Sequence, residues 1–189
     1  MTMQLDDNDK QTLLQLARQS IEDSLNNSWQ QVLASNYDSK LQVEAACFVT
    51  LTIKGNLRGC IGHLSAMQPL VLDVYENARS AAFNDPRFAP LTTSELEQVD
   101  IEISVLTPAQ AMSFVDEADL LQQIRPGVDG LILEDMGRRG TFLPSVWEQL
   151  PDRQQFWQHL KLKASLPLNH WSDSVKVWRY ESLAFAERS

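Results

Sequence analysis

No apolar run in this sequence approaches the ~20 residues that a membrane-spanning helix requires, so no membrane partner is expected. Basic charge is also scarce: 16 Lys and Arg stand against 25 Asp and Glu, a formal charge of −9. A duplex-binding face needs clustered cations to displace phosphate counterions. The longest basic feature, Arg138-Arg139 in a glycine-flanked turn, is too small for that, and nucleic acid is not an expected partner. Two cysteines, Cys47 and Cys60, cannot build a disulfide framework and suit a reducing compartment, although one bridge stays open. Gly and Pro are sparse and no Ser, Gln or Pro tract appears, which argues against long disorder. The polar, acidic stretch Met1 to Lys10 is unlike a signal or transit peptide, so the cytoplasm is the expected compartment.

What is present is a core. Hydrophobic residues make up 43% of 189, enough for one large domain or two small packed ones without cross-links. Leu13, Leu14, Leu16, Ala17, Ile21 and Leu25 form a stripe at helical spacing, which predicts a helix from about Lys10, capped by Asp7 or Asn8. Val43 to Ile53 alternates with period two and predicts a strand. Lys54-Gly55-Asn56 then reads as a turn, with positive φ expected at Gly and Asn, and Leu57 to His63 as the returning strand. Pro69 opens a helix that should stop near Asn84, ahead of Pro86. A short helical turn within Pro90 to Leu96 and a strand over Val99 to Leu106 follow. A helix over Asp116 to Ile124, strands over Gly127 to Glu134 and Thr141 to Leu143, a helix over Asp152 to Leu166 and a closing strand over Val175 to Phe185 complete the pattern. The order is not βαβ, so an α+β fold is expected, with an antiparallel or mixed sheet packed with helices.

The segment most suggestive of chemistry is Leu57-Arg58-Gly59-Cys60-Ile61-Gly62. In an extended strand Arg58 and Cys60 share a face, and a guanidinium beside a thiol favours the thiolate. Cys60 is therefore a candidate nucleophile and Arg58 its activator or an anion clamp. Gly59 and Gly62 suit a close approach by ligand or backbone. An inert core cysteine and a structural arginine are the competing reading. Cys60 and His63 have C-x-x-H spacing, but His159 and His170 are distant and no second pair exists, so no zinc or other metal is expected. Asp85 and Arg87, in Phe83-Asn84-Asp85-Pro86-Arg87-Phe88, could hold a polar ligand, and Glu102 could be a general base or the counter-ion of Arg58. Arg125-Pro126-Gly127-Val128-Asp129-Gly130 lacks the Gly-Lys-Ser/Thr ending of a phosphate loop, and no cofactor is expected. Trp147, Trp157, Trp171 and Trp178 read as packing residues.

These segments, with Ile101-Glu102-Ile103-Ser104-Val105-Leu106 and Gly140-Thr141-Phe142-Leu143-Pro144, resemble in order the signatures of the AMMECR-type domain, protein A of the AmmeMemoRadiSam system. The resemblance runs from about Leu13 to Tyr180. It implies one α+β domain over 1–189, with a larger subdomain from the terminal parts and a smaller one inserted roughly within 85–145. It places the hexapeptide at a cleft between them. A Memo-like protein and a radical-SAM protein are the implied partners, and no settled reaction comes with the family. Lys161 and Ser165 depart from an expected Cys and Gly, and His63 stands where a small polar residue is usual, while Lys163 is in place. Arg58, Gly59, Gly62, His63, Asp85 and Arg87 are thus the expected ligand-binding residues, with Cys60 and Glu102 as candidate catalytic ones. A binding component of that system is the preferred reading. The alternatives are an enzyme with Cys60 as nucleophile in a protein or small-molecule modification reaction, and a purely structural seam.

Overall fold

The computed structural model describes residues 3–188. In chain order the elements are α1 (Asp7–Leu25), β1 (Ala46–Ile53), β2 (Asn56–Gly62), α2 (Leu70–Phe83), α3 (Thr93–Leu96), β3 (Val99–Leu106), β4 (Gln110–Ala111), α4 (Glu117–Gln123), β5 (Gly130–Asp135), β6 (Arg138–Phe142), α5 (Arg153–Lys163), β7 (Lys176–Tyr180) and β8 (Ser182–Ala186). Short 3-10 turns occupy Ala34–Asn36, Ser39–Gln42 and Pro144–Glu148. The chain divides into two compact units, Met1–Thr107 with Leu183–Ser189, and Pro108–Ser182. Helices and two antiparallel sheets make the fold α+β.

In the first unit the sheet order is β2-β1-β3-β8. One face carries Cys47, Val49 and Leu51 of β1 with Val99, Ile101, Ile103 and Val105 of β3, all buried. Leu13, Leu16, Ala17 and Ile21 of α1 and Val71, Val74, Ala78 and Ala82 of α2 cover it. The first helix begins a turn earlier than its apolar stripe. Asp6 is the cap, its carboxylate accepting the Asp9 N–H while Asp9 accepts the Asp6 N–H, a reciprocal box that satisfies two orphan donors. The β1–β2 turn also differs: Ile53 pairs with Asn56, so only Lys54 (φ 52°) and Gly55 (φ 78°) lie in the loop. Two consecutive positive φ values match the right-handed twist of a two-residue hairpin.

The second unit has sheet order β4-β7-β5-β6. Asp116 and Asp152 cap α4 and α5. Leu131, Leu133 and Val177 of the sheet pack with Phe156, Trp157 and Leu160 of α5. Trp147 stacks on Phe156 with ring centroids 3.8 Å apart, and its indole N–H donates to the Asp129 carbonyl at 2.7 Å. Trp157 is buried as well, whereas Trp171 and Trp178 are half-buried. The Val175-to-Phe185 run is not one strand. It breaks at Glu181, so β7 pairs with β5 in this sheet while β8 lies beside β3 in the first. Alternation reveals that a segment is extended but not which sheet it joins. The two-residue β4 was not anticipated, being too short to show a period.

The end of α5 is a Schellman motif, with Leu166 N–H donating to the Lys161 carbonyl and Ser165 N–H to that of Leu162, each at 2.9 Å. Ser165 takes φ 61°, a left-handed conformation in which a Cβ is strained. Ser165→Gly should therefore raise unfolding stability by about 0.5 kcal/mol, strain relief outweighing the added freedom of the unfolded chain. Ser165→Ala should give no gain. Urea denaturation of both variants checks this, and a lowered midpoint for the glycine variant counts against it.

Candidate functional site

The hexapeptide lies on β2, an outermost strand of the first sheet, and begins with an irregularity. Leu51 pairs with Gly59 but Thr52 pairs with Leu57, so Arg58 is an extra residue in a β-bulge. The bulge takes Arg58 out of the alternation that would have set it alongside Cys60. Its Nε and Nη2 instead donate to the two carboxylate oxygens of Glu95, at 2.9 and 3.1 Å, and Nη2 also to the Ala89 carbonyl at 2.9 Å. Glu95, not Glu102, is the counter-ion of Arg58. The Arg58 guanidinium, helped by the Thr92 backbone N–H, holds the Glu95 carboxyl down to about 2 against the opposing effect of burial.

Beyond the bulge the register brings Cys60 and Glu102 opposite Thr50 from either side, so the three form one row across β2, β1 and β3. Buried Cys47, Val49 and Leu51 point the other way, and the row therefore lies on the face away from the helices. Glu102 is exposed and Cys60 half-buried. The Thr50 hydroxyl lies 3.3 Å from the Cys60 sulfur, donating to it.

The backbone of Cys60 faces the free edge of the sheet, where Asp85 and Arg87 meet it. The Cys60 N–H donates to Asp85 Oδ2 at 3.0 Å, and Arg87 Nη2 reaches the Cys60 carbonyl at 3.4 Å. Arg87 also grips Asp85 through Nε at 3.0 Å and Nη2 at 2.7 Å. The pair thus supplies an acceptor and a donor where a further strand would. That arrangement blunts an otherwise sticky edge. The Arg87 guanidinium is the chief reason the Asp85 carboxyl lies well below the usual carboxylate range, with burial opposing and the N–H groups of Cys60 and Arg87 assisting.

Both glycines mark close approaches. A Cβ on Gly59 would sit 2.1 Å from the Ala81 carbonyl oxygen of α2. One on Gly62 would meet the Cys47 carbonyl oxygen at 2.3 Å and the Phe48 ring at 2.5 Å. His63 turns away from Cys60 toward the start of α2, where Nδ1 lies 2.6 Å from Asp73 Oδ1. The structure therefore gathers Cys60, Asp85 and Arg87, adds Glu102 at the far end of the row, and leaves Arg58 and His63 with separate partners. Thr50, Glu95 and Asp73 were missed from sequence. The Thr92-to-Glu95 capping box is visible there, but the second use of its carboxylate is not. Among the described residues no group of three or more His, Cys, Asp or Glu side chains could hold a metal ion.

Gly59→Ala should destabilise the protein by about 1–3 kcal/mol, because helix or strand must shift to admit the methyl. A urea midpoint equal to wild type would contradict the packing argument. Glu95 also fixes a pH dependence. Its folded value is depressed, so its contribution is complete above the unfolded value near 4.5 and is lost as pH falls toward 2. Glu95→Gln should therefore lose less stability than wild type between pH 5 and pH 2, measured by denaturant unfolding at each pH.

The AMMECR1 family model matches residues 14–185. A protein of Methanothermobacter thermautotrophicus is 39% identical over 178 residues, covering 93% of each chain. One of Methanocaldococcus jannaschii is 36% identical over 175 residues, covering 90% of this chain and 86% of its own. The crystal structure of an uncharacterised protein from Pyrococcus horikoshii superimposes with a TM-score of 0.84 at 32% identity, covering 94% of this chain and 90% of that one. By family model, sequence and fold together, the chain belongs to the AMMECR1 family.

Proposed function

We propose that this chain is the recognition component of an AmmeMemoRadiSam-type system, and that it engages a ligand or partner segment through the row Cys60, Thr50 and Glu102. The observation carrying this reading is that the charged groups flanking the hexapeptide are already closed upon one another. Arg58 pairs with Glu95 and Arg87 with Asp85, while the hydrogen bond to the Cys60 sulfur comes from a hydroxyl. An adjacent general base is one common activator of a nucleophilic thiol, and the candidate His63 bonds to Asp73 instead. Internal pairing leaves a stiff scaffold presenting a thiol, a hydroxyl and a carboxylate to solvent, which suits recognition. The implied partners are a Memo-like protein and a radical-SAM protein.

The enzyme reading keeps one observation in its favour. The Thr50 hydroxyl donates to the Cys60 sulfur, a contact that would orient the thiol for attack. Surface plasmon resonance against purified Memo-like and radical-SAM proteins distinguishes the two. The recognition reading expects a saturable complex with one of them, weakened at least tenfold by Glu102→Lys, an exposed substitution that leaves the fold intact. Binding to neither, or no effect of Glu102→Lys, overturns it. A Cys60 alkylation midpoint well below ~8.5 would move the assignment toward nucleophilic chemistry.

A further inference from the structure

The His63–Asp73 pair lies outside the Cys60 row, and the structure explains only half of it. Asp73 is the buried member, its side chain 3% exposed, whereas that of His63 is 52% exposed. The carboxylate is saturated from within the protein. Oδ2 accepts from the Cys47 N–H at 2.9 Å and the Asn77 amide at 3.0 Å, and Oδ1 accepts from Gln68 Nε2 at 3.1 Å. With three N–H groups already donating to it, the carboxylate stands as an acceptor, so the 2.6 Å contact with His63 is assigned as an Nδ1–H donation. The Asn77 amide, 3.4 Å from the same ring nitrogen, donates to Asp73. In the Nδ1–H tautomer Nε2 is the ring nitrogen with the lone pair, and no hydrogen bond to it is found among the described residues.

Anchoring does not account for this. The strap leaving β2 is already tied by backbone bonds from His63 N–H to Cys47, Ala45 N–H to the Gln68 carbonyl and Leu70 N–H to Val43. A packing role would also not leave half the imidazole in solvent. We infer that His63 is a second chemically competent site, a proton acceptor at Nε2 with Asp73 as its positioning residue. The step is a proton transfer. A ligand O–H bond breaks, its proton goes to Nε2, the electron pair stays on the ligand oxygen, and the resulting imidazolium is stabilised by Asp73. Asp73 and Glu76, bridged by Gln68 Nε2, give the site a negative border. The ligand class is therefore a neutral or cationic hydroxyl compound rather than an anion, or water. With water, its proton passes to Nε2 as its oxygen bonds a neutral acyl carbon. The bond from that carbon to the leaving oxygen then breaks, and the imidazolium returns the proton to the departing oxygen.

This inference stands apart from the Cys60 reading and is tested on the intact chain. Long-range 1H–15N correlation should show His63 protonated at Nδ1 and bare at Nε2 at neutral pH. 4-Nitrophenyl acetate serves as the neutral probe and its carboxylate-bearing analogue as the anionic one. Wild type should hydrolyse the neutral ester at least tenfold faster than His63→Gln, and several-fold faster than the anionic ester. Asp73→Asn should lose most of that rate, while His159→Gln, at an exposed histidine of α5, should retain it. An Nε2–H tautomer, or a His63→Gln rate equal to wild type, overturns the inference. The tautomer measurement decides the matter on the unmodified protein if Asp73→Asn does not fold.

Discussion

The close approach of α2 to β2 at Gly59 is the constraint on which the candidate site depends. With no side chain at 59, the Ala81 carbonyl lies where a Cβ would be. The last turn of the helix therefore runs directly beside the edge strand. That contact delivers the residues after Phe83 to the edge, where Asp85 accepts the Cys60 N–H and Arg87 closes on both. The Phe88 ring then lies 5.8 Å from the Arg58 guanidinium and 5.6 Å from that of Arg87. Each contact needs the previous one in place. A hydrogen bond of 3.0 Å to a backbone N–H tolerates little displacement of the helix bearing its acceptor.

The same helix serves both proposed sites. Its first turns carry Asp73, which holds His63 and is itself braced by Asn77, and its end leads into Asp85, which holds Cys60. The two lie toward opposite ends of one rigid element. Cys47, in contrast, is buried, and its thiol is pushed well up by burial and by the charge of Asp73. The chain thus has one inert cysteine against the helices and one that meets solvent.

Electrostatics near the hexapeptide are local rather than long-range. In a chain of net charge −9, the guanidiniums of Arg58 and Arg87 are each gripped bidentately by a carboxylate. Lysine could not reproduce these forks, because a point charge cannot satisfy two oxygens and a carbonyl in one plane. In the second unit Asp135 has an analogous bracing role. Buried, yet held near 2 by bonds from Ser174, Ser172 and His170 that outweigh its burial, it pins the 170–174 segment to the end of β5.

The α+β class, the three long helices, the β1–β2 hairpin and β3 were legible in the sequence, because each is written in the spacing of covalent neighbours: Leu13 to Ile21 at helical period, Cys47 to Leu51 at period two, Pro69 and Pro86 bracketing α2. The importance of Leu57 to Gly62 was legible too, since two glycines in a strand require a reason. Tertiary structure decided the rest. Which carboxylate answers Arg58, which sheet receives Ser182–Ala186, and on which side His63 falls all depend on residues remote in sequence. A one-residue bulge at Arg58 reverses the expected facing of everything beyond it, and spacing along one strand carries no trace of a register chosen by its neighbour.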